Sequence, residues 1–265
     1  MRLLWFLLLA LTLPAQVLKV TVDDTIQPIS AEYIARAIDH AEQTNATAVL
    51  IETSTPGGTL DATREIVAKI THSKVPVIVY VAPGGARAAS AGFFILESAD
   101  VAAMAPGTNT GAAHPVDGTG KPMDPVMSEK VANDAAAFMR SYVSRRGRNT
   151  DLAETAVRKS IAWSDQEALD KKLIDVVAND DSDLLRKLDG RRITRFDGQT
   201  QVLHVAGKPV VPFEMTTRQK VLDKLMDPNI AFILFSLGLM CIYAEFNHPG
   251  AIVPGVVGFV AVVLA

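Results

Sequence analysis

The chain has 265 residues, 26 Lys+Arg against 29 Asp+Glu, one cysteine and a mean hydropathy of +0.21. A net charge of −3 gives no electrostatic reason to expect a nucleic-acid partner, and a single thiol excludes an internal disulfide or a Cys-rich zinc site. Arg2 is the only charge in residues 1–16 and Glu245 the only one in residues 229–265; the 212 residues between hold the other 53, a quarter of that stretch. That share is ordinary for a globular domain and excludes disorder, collagen and a polytopic transporter.

Met1-Arg2 followed by Leu3 to Leu11 has the form of a secretory leader: one positive charge, a short apolar run, then Thr12, Pro14 and Ala15 where cleavage fits. Residues 1–16 are therefore expected to direct the following domain to the periplasm or cell exterior. From Val17 the chain alternates β-rich runs with amphipathic stretches. Val17 to Val22 predicts a strand, and Ser30 caps a helix whose apolar face is Tyr33, Ile34, Ala37, Ile38 and Ala41. Ala48 to Thr53 predicts a buried strand ending in Pro56-Gly57-Gly58, and Leu60 to Ile70 a helix. Val75 to Val81 predicts another strand, ending in Pro83-Gly84-Gly85, before a small-residue helix over Ala88 to Ser98 and a strand over Val101 to Met104. This order predicts parallel βαβ units, and the two Pro-Gly-Gly turns, 27 residues apart, hint at a repeated unit.

Residues 105–128 read as a long loop, a length that points to function. A helix over Ser128 to Arg146 follows, then a helix from Asp151, a capping pattern Ser164-Asp165-Gln166-Glu167 and a last strand at Ile174 to Val177. The main domain is thus placed at residues 17–180, with a polar appendage and linker at 181–228. Residues 229–265 are two apolar pieces separated by Glu245 to Gly250, each slightly short of the roughly 20 residues of a straight span. They predict a transmembrane hairpin, with Cys241 as a small apolar residue within it. The run stops at Ala265 without a charged flank, which predicts further spans beyond it.

Ser90 is the candidate nucleophile. It follows a strand and a Gly-Gly turn and opens a helix among Ala88, Ala89, Ala91 and Gly92, a geometry that exposes a hydroxyl and aims backbone N–H groups at its target. Gly57-Gly58 offers amides unobstructed by Cβ, beside that of Ala91, for an oxyanion. His114, with Asp117 nearby, is one candidate base; His40, His72, His204 and His248 fall at surface or linker positions. No His-Glu-x-x-His or comparable spacing predicts a metal, no Gly-Lys-Ser/Thr follows the Gly-Gly turns as in a phosphate loop, and no cofactor is expected.

Three motifs in order, Thr55-Pro56-Gly57-Gly58, Ala88-Ala89-Ser90-Ala91-Gly92 and Ala105-Pro106-Gly107-Thr108-Asn109-Thr110-Gly111-Ala112, resemble the ClpP-class serine peptidases. The resemblance is closer to the membrane-bound NfeD branch, the stomatin-operon proteases, and runs from Val17 to Ala178; the leader and membrane hairpin match that branch too. One departure is Ala88, where ClpP-like elbows commonly have glycine. The resemblance implies an α/β ClpP/crotonase-like fold of repeated ββα units and a Ser–Lys dyad. Its lysine corresponds to Lys130, with Lys121 as the fallback. Burial and a helix start both favour the neutral amine that a basic lysine needs. Implied further are an oxyanion hole of Gly58 and Ala91 with Thr59 as a third donor, apolar peptide substrates, a stomatin- or prohibitin-like membrane partner, and a homo-oligomer. The rival readings are a catalytically silent scaffold for such a partner and a crotonase-type acyl-CoA enzyme, which export disfavours.

Overall fold

The computed structural model describes residues 15–118, 122–247 and 252–265; most of the expected leader, Lys121 and His248 lie outside them. In chain order it carries β1 (Val17–Val22), α1 (Pro28–Gln43), β2 (Ala48–Thr53), α2 (Leu60–Thr71), β3 (Val77–Val81), β4 (Arg87–Ala89) and α3 (Ala91–Ser98). Next come β5 (Val101–Met104), β6 (Asn109–Gly111), α4 (Pro125–Val143), α5 (Thr150–Lys159), β7 (Ala162–Ser164), α6 (Asp165–Asp170) and β8 (Val176–Val177). Then follow α7 (Asp181–Leu188), β9 (Arg192–Thr194), β10 (Thr200–Val202), β11 (Val210–Pro212), α8 (Thr217–Leu225), α9 (Pro228–Asn247) and α10 (Ile252–Leu264). Two compact units divide between Phe213 and Glu214.

In the first unit six strands form one sheet in the order β11-β1-β2-β3-β5-β8, every neighbouring pair parallel. Helices cover strands of this kind on both faces, so β2 and β3 are nearly continuous apolar runs rather than alternating ones. All of β3 is buried, as is all of β2 except Glu52. α3 is buried along its whole length, which suits its sequence, Ala-Gly-Phe-Phe-Ile-Leu-Glu-Ser. A small second sheet, β4-β6-β7, stands beside it. The carboxyl ends of parallel strands are where such folds place their ligands, and both Gly-Gly turns lie there, after β2 and after β3.

Several boundaries differ from expectation: the small-residue helix starts at Ala91 rather than Ala88, because Ala88 and Ala89 belong to β4 and pair with β6, and others shift for local reasons. α1 begins at Pro28, a residue pre-set for the first helical position, which puts Ser30 inside the first turn, its Oγ accepting from Gln27 N–H. α4 begins at Pro125, three residues earlier than predicted, because the Asp124 carboxylate caps it through the N–H groups of Val126 and Met127. The expected long loop contains β6. The predicted capping box at Ser164 and Glu167 is present.

The stretch after residue 180 departs most. Residues 181–213 are no appendage: β11 pairs with β1 at the sheet edge, and Leu184, Leu185, Leu188, Ile193, Leu203 and Val205 pack with Leu50, Ile78 and Tyr80 in one core cluster. Charged neighbours lower the average hydropathy there, while the apolar stripe of α7 still faces inward.

In the second unit Asn229–Asn247 is long and apolar enough to cross a membrane, and α10 is a shorter apolar helix. Glycines bring α9 and α10 together: a Cβ at Gly258 would stand 2.6 Å from the Gly238 carbonyl oxygen. Small residues permit this close backbone packing between apolar helices.

Candidate active site

Ser90 occupies the cap position before α3 with φ 52° and ψ −114°. Positive φ in a non-glycine residue costs on the order of 1–3 kcal/mol and persists where the surroundings enforce it. They do so here: Ser90 N–H donates to Gly111 O at 2.9 Å, and Ser90 O accepts from Phe93 N–H at 3.0 Å. Among the described residues its Oγ has no hydrogen-bond partner, and the residue is half-buried. A hydroxyl is thus held out on a strained strand-to-helix turn, as the sequence predicts.

The turn after β2 lies directly against it. Gly57 has φ +129°, and a Cβ there would stand 2.7 Å from Ser90 Cβ. The Gly57 carbonyl accepts from Ile26 N–H at 2.7 Å, and Ile26 O accepts from Thr59 N–H at 2.9 Å. Thr59, expected as a third oxyanion donor, therefore has its N–H already engaged. The N–H groups of Gly58 and Ala91 carry no hydrogen bond among the described residues. Ala91 is the first residue of α3, where N–H groups lack intrahelical acceptors and the helix dipole favours negative charge.

These groups open on a cavity of about 450 Å³ whose lining includes Ser90, Ala91, Gly58 and Thr59. Leu60, Phe94, Ala113, Pro115, Val116 and Val131 give it an apolar wall, and Thr25, Gln27 and Thr63 add polar groups. The participation of Thr25 and Gln27 is not visible in local sequence, since the segment after β1 reaches the site through one isolated bridge, Ile26 to Gly58.

The two candidate bases fare differently. His114 Nδ1 lies 2.9 Å from Val157 O on α5, and its ring is absent from the cavity lining. Lys130 is exposed on the second turn of α4, with no ion pair or hydrogen bond among the described residues. Its neighbour Val131 lines the cavity. The structure thus brings together Ser90, Gly58 and Ala91 and leaves Lys130 exposed and outside the cavity lining.

Beneath the elbow, α3 carries Glu97, fully buried, with both carboxyl oxygens unpartnered among the described residues. Burial pushes its carboxyl up to about 8, Arg148 opposing and Asp175 reinforcing the shift. Arg148 instead donates to the Glu97 carbonyl oxygen at 2.8 Å and to Asp175 at 2.6 Å. The folded chain holds a proton on Glu97 that the unfolded chain releases near pH 4.5, so stability is complete below that pH and falls as pH rises toward 8. Glu97→Gln removes the loss. Thermal unfolding of the full chain in detergent should show no gain at pH 4 and a gain on the order of 5–10 °C at pH 9; a pH-independent difference contradicts this.

Comparison with known proteins gives the family. Residues 16–185 match the profile of the NfeD1b N-terminal domain, and residues 229–265 that of the NfeD integral membrane domain. The chain belongs to the NfeD family. It is 38% identical over 232 residues to the membrane-bound protease PH1510 of Pyrococcus horikoshii, covering 87% of this chain and 53% of that protein. It is 26% identical over 258 residues to membrane protein NfeD1b of Bacillus subtilis, covering 92% and 54%. The chain thus spans about half the length of these relatives. Among solved structures, a lysine-to-alanine mutant of the 1510-N membrane-bound stomatin-specific protease, in complex with a substrate peptide, matches with TM-score 0.74 and 34% identity over 81% of this chain and 99% of that one. A serine-to-alanine mutant of the same protease matches with TM-score 0.71 and 34% identity over 77% and 100%. ClpP1 of Listeria monocytogenes, 19% identical with TM-score 0.50 over 61% and 91%, shares the fold. The architecture is the ClpP-like α/β fold that the motifs imply, joined to an NfeD membrane domain.

Proposed function

We propose that this NfeD protein is a membrane-anchored serine endopeptidase. The observation that carries the reading is that the strained Ser90 and the residues Gly58 and Ala91, whose N–H groups are unbonded among the described residues, line one largely apolar cavity. Ser90 Oγ attacks the scissile carbonyl, the two N–H groups hold the oxyanion, and the acyl-enzyme is released by water. Lys130 takes the hydroxyl proton and returns it to the leaving amine.

Support for Lys130 comes from the relative whose mutants replace a serine and a lysine. Those two positions stand 41 residues apart in that chain, against 40 between Ser90 and Lys130 and 31 between Ser90 and Lys121. Catalytic hydrogen bonds commonly tighten only with substrate in place, which accommodates an exposed lysine one residue from the cavity wall. The apolar lining fits apolar peptide segments. A stomatin- or prohibitin-like membrane protein is the partner, in keeping with the relative's description as stomatin-specific. The Arg2 and Leu3–Leu11 leader places the domain in the periplasm or outside the cell, and the protein works as a homo-oligomer.

Cleavage of an apolar fluorogenic peptide by the full chain in detergent tests this. Lys130→Ala should lower kcat/KM by about 10²–10⁴-fold, and Lys121→Ala should stay within about threefold of the parent. The opposite ranking moves the base to Lys121; equal activity in all three removes the dyad.

A further inference from the structure

The Gly57–Gly58 peptide is held from its far side. A trans peptide points its C=O and N–H in opposite directions in one plane, so whatever anchors the Gly57 oxygen also aims the Gly58 N–H. Two groups anchor that oxygen: Ile26 N–H at 2.7 Å and the Thr55 hydroxyl, which donates to it at 3.1 Å. The same Thr55 Oγ1 accepts from Gly57 N–H at 3.1 Å. One side chain thus brackets both polar groups of Gly57.

Thr55 also ties this turn to the nucleophile. Its N–H donates to Arg87 O at 2.7 Å, and its carbonyl accepts from Ala89 N–H at 3.1 Å, in β4, the strand that leads directly into Ser90. Thr55 is fully buried, and its methyl group Cγ2 fills the space left by Gly92, where an added Cβ would stand 2.5 Å away. Glycine at 57 has no side chain to resist a turn of its peptide, so beside the Ile26 N–H the Thr55 hydroxyl opposes a flipped plane, which would present a carbonyl where a donor is needed.

We infer that Thr55 is a positioning residue of the oxyanion hole: its hydroxyl locks the Gly57–Gly58 peptide with the Gly58 N–H facing Ser90. This rests on the peptidase reading above, but its own content is the orientation of one amide. It acts through Gly58 and does not touch substrate.

Thr55→Val keeps the shape and deletes the hydroxyl, Thr55→Ser keeps the hydroxyl and deletes the methyl, and Thr55→Ala deletes both. With the full chain in detergent and the fluorogenic peptide, Thr55→Val should lower kcat about 10–100-fold, short of the loss of a whole donor, with KM within twofold. Thr55→Ser should restore kcat to within about threefold of the parent. If the valine chain does not fold, the serine and alanine variants differ only in the hydroxyl and should show the same kcat gap. Parent-like kcat in Thr55→Val, or equal losses in the serine and alanine variants, overturns the inference. An inactive parent overturns the peptidase reading instead, and amide exchange at Ile26, whose N–H is bonded only while the Gly57 oxygen faces it, then reads the orientation of the peptide: faster exchange in Thr55→Val than in Thr55→Ser is expected, and equal rates overturn the inference.

Discussion

Gly58→Ala is expected to abolish turnover and to destabilise the fold together. An added Cβ would stand 1.9 Å from the carbonyl oxygen of Ile26 and 2.6 Å from its carbonyl carbon and Cα. All three are backbone atoms, so no side-chain rotation relieves the clash. The bridge between Ile26 and Gly58 must open, which releases the hydrogen bonds to Gly57 O and from Thr59 N–H. Overpacking of this kind costs on the order of 1–3 kcal/mol, and displacement of one oxyanion donor lowers kcat by about 10²–10³-fold. Gly118→Ala is the control on the same cavity, because among the described residues nothing stands within 4 Å of its Cβ position and its φ is ordinary. Peptide cleavage and thermal unfolding of both chains check the contrast. A Gly58→Ala chain as active and stable as Gly118→Ala contradicts the donor assignment.

Ser90→Ala is expected to lose activity on the order of 10³-fold or more with little change in stability. The two consequences separate because the Oγ makes no hydrogen bond among the described residues while the Ser90 backbone is bonded to Gly111 and Phe93. Alanine keeps those backbone bonds and meets nearly the same strain at φ 52°. A melting temperature within about 2 °C of the parent, alongside lost cleavage, identifies the hydroxyl as chemical rather than structural. Retained cleavage would mean that another group performs the attack.

Much of this site is legible in the sequence for simple reasons. β2 and β3 are apolar runs closed by Pro-Gly-Gly, so the strands, their parallel pairing and the turns at their carboxyl ends follow from local pattern. Ser90 is legible because a strand, a Gly-Gly turn and a small-residue helix meet around it. What is hidden is non-local. Ile26 reaches Gly58 through a single bridge, and the engagement of Thr59 N–H depends on that contact. Thr55 reads locally as a turn residue, and only the three-dimensional arrangement shows its hydroxyl on both sides of Gly57. Residues 181–213 look like an appendage because Asp, Arg and Lys surround Leu184, Leu185 and Leu188, yet those leucines complete the core beside β3. The geometry of Lys130 relative to Ser90 depends on how α4 sits against the cavity, which sequence spacing alone does not specify.

The most direct measurement is the intact mass of the full chain in detergent after treatment with a fluorophosphonate, a reagent that modifies serines activated for attack. One adduct that maps to Ser90, absent from Ser90→Ala and formed more slowly in Lys130→Ala, is the predicted result. An unmodified Ser90, or an adduct that persists in Ser90→Ala, contradicts the assignment of Ser90 as the nucleophile.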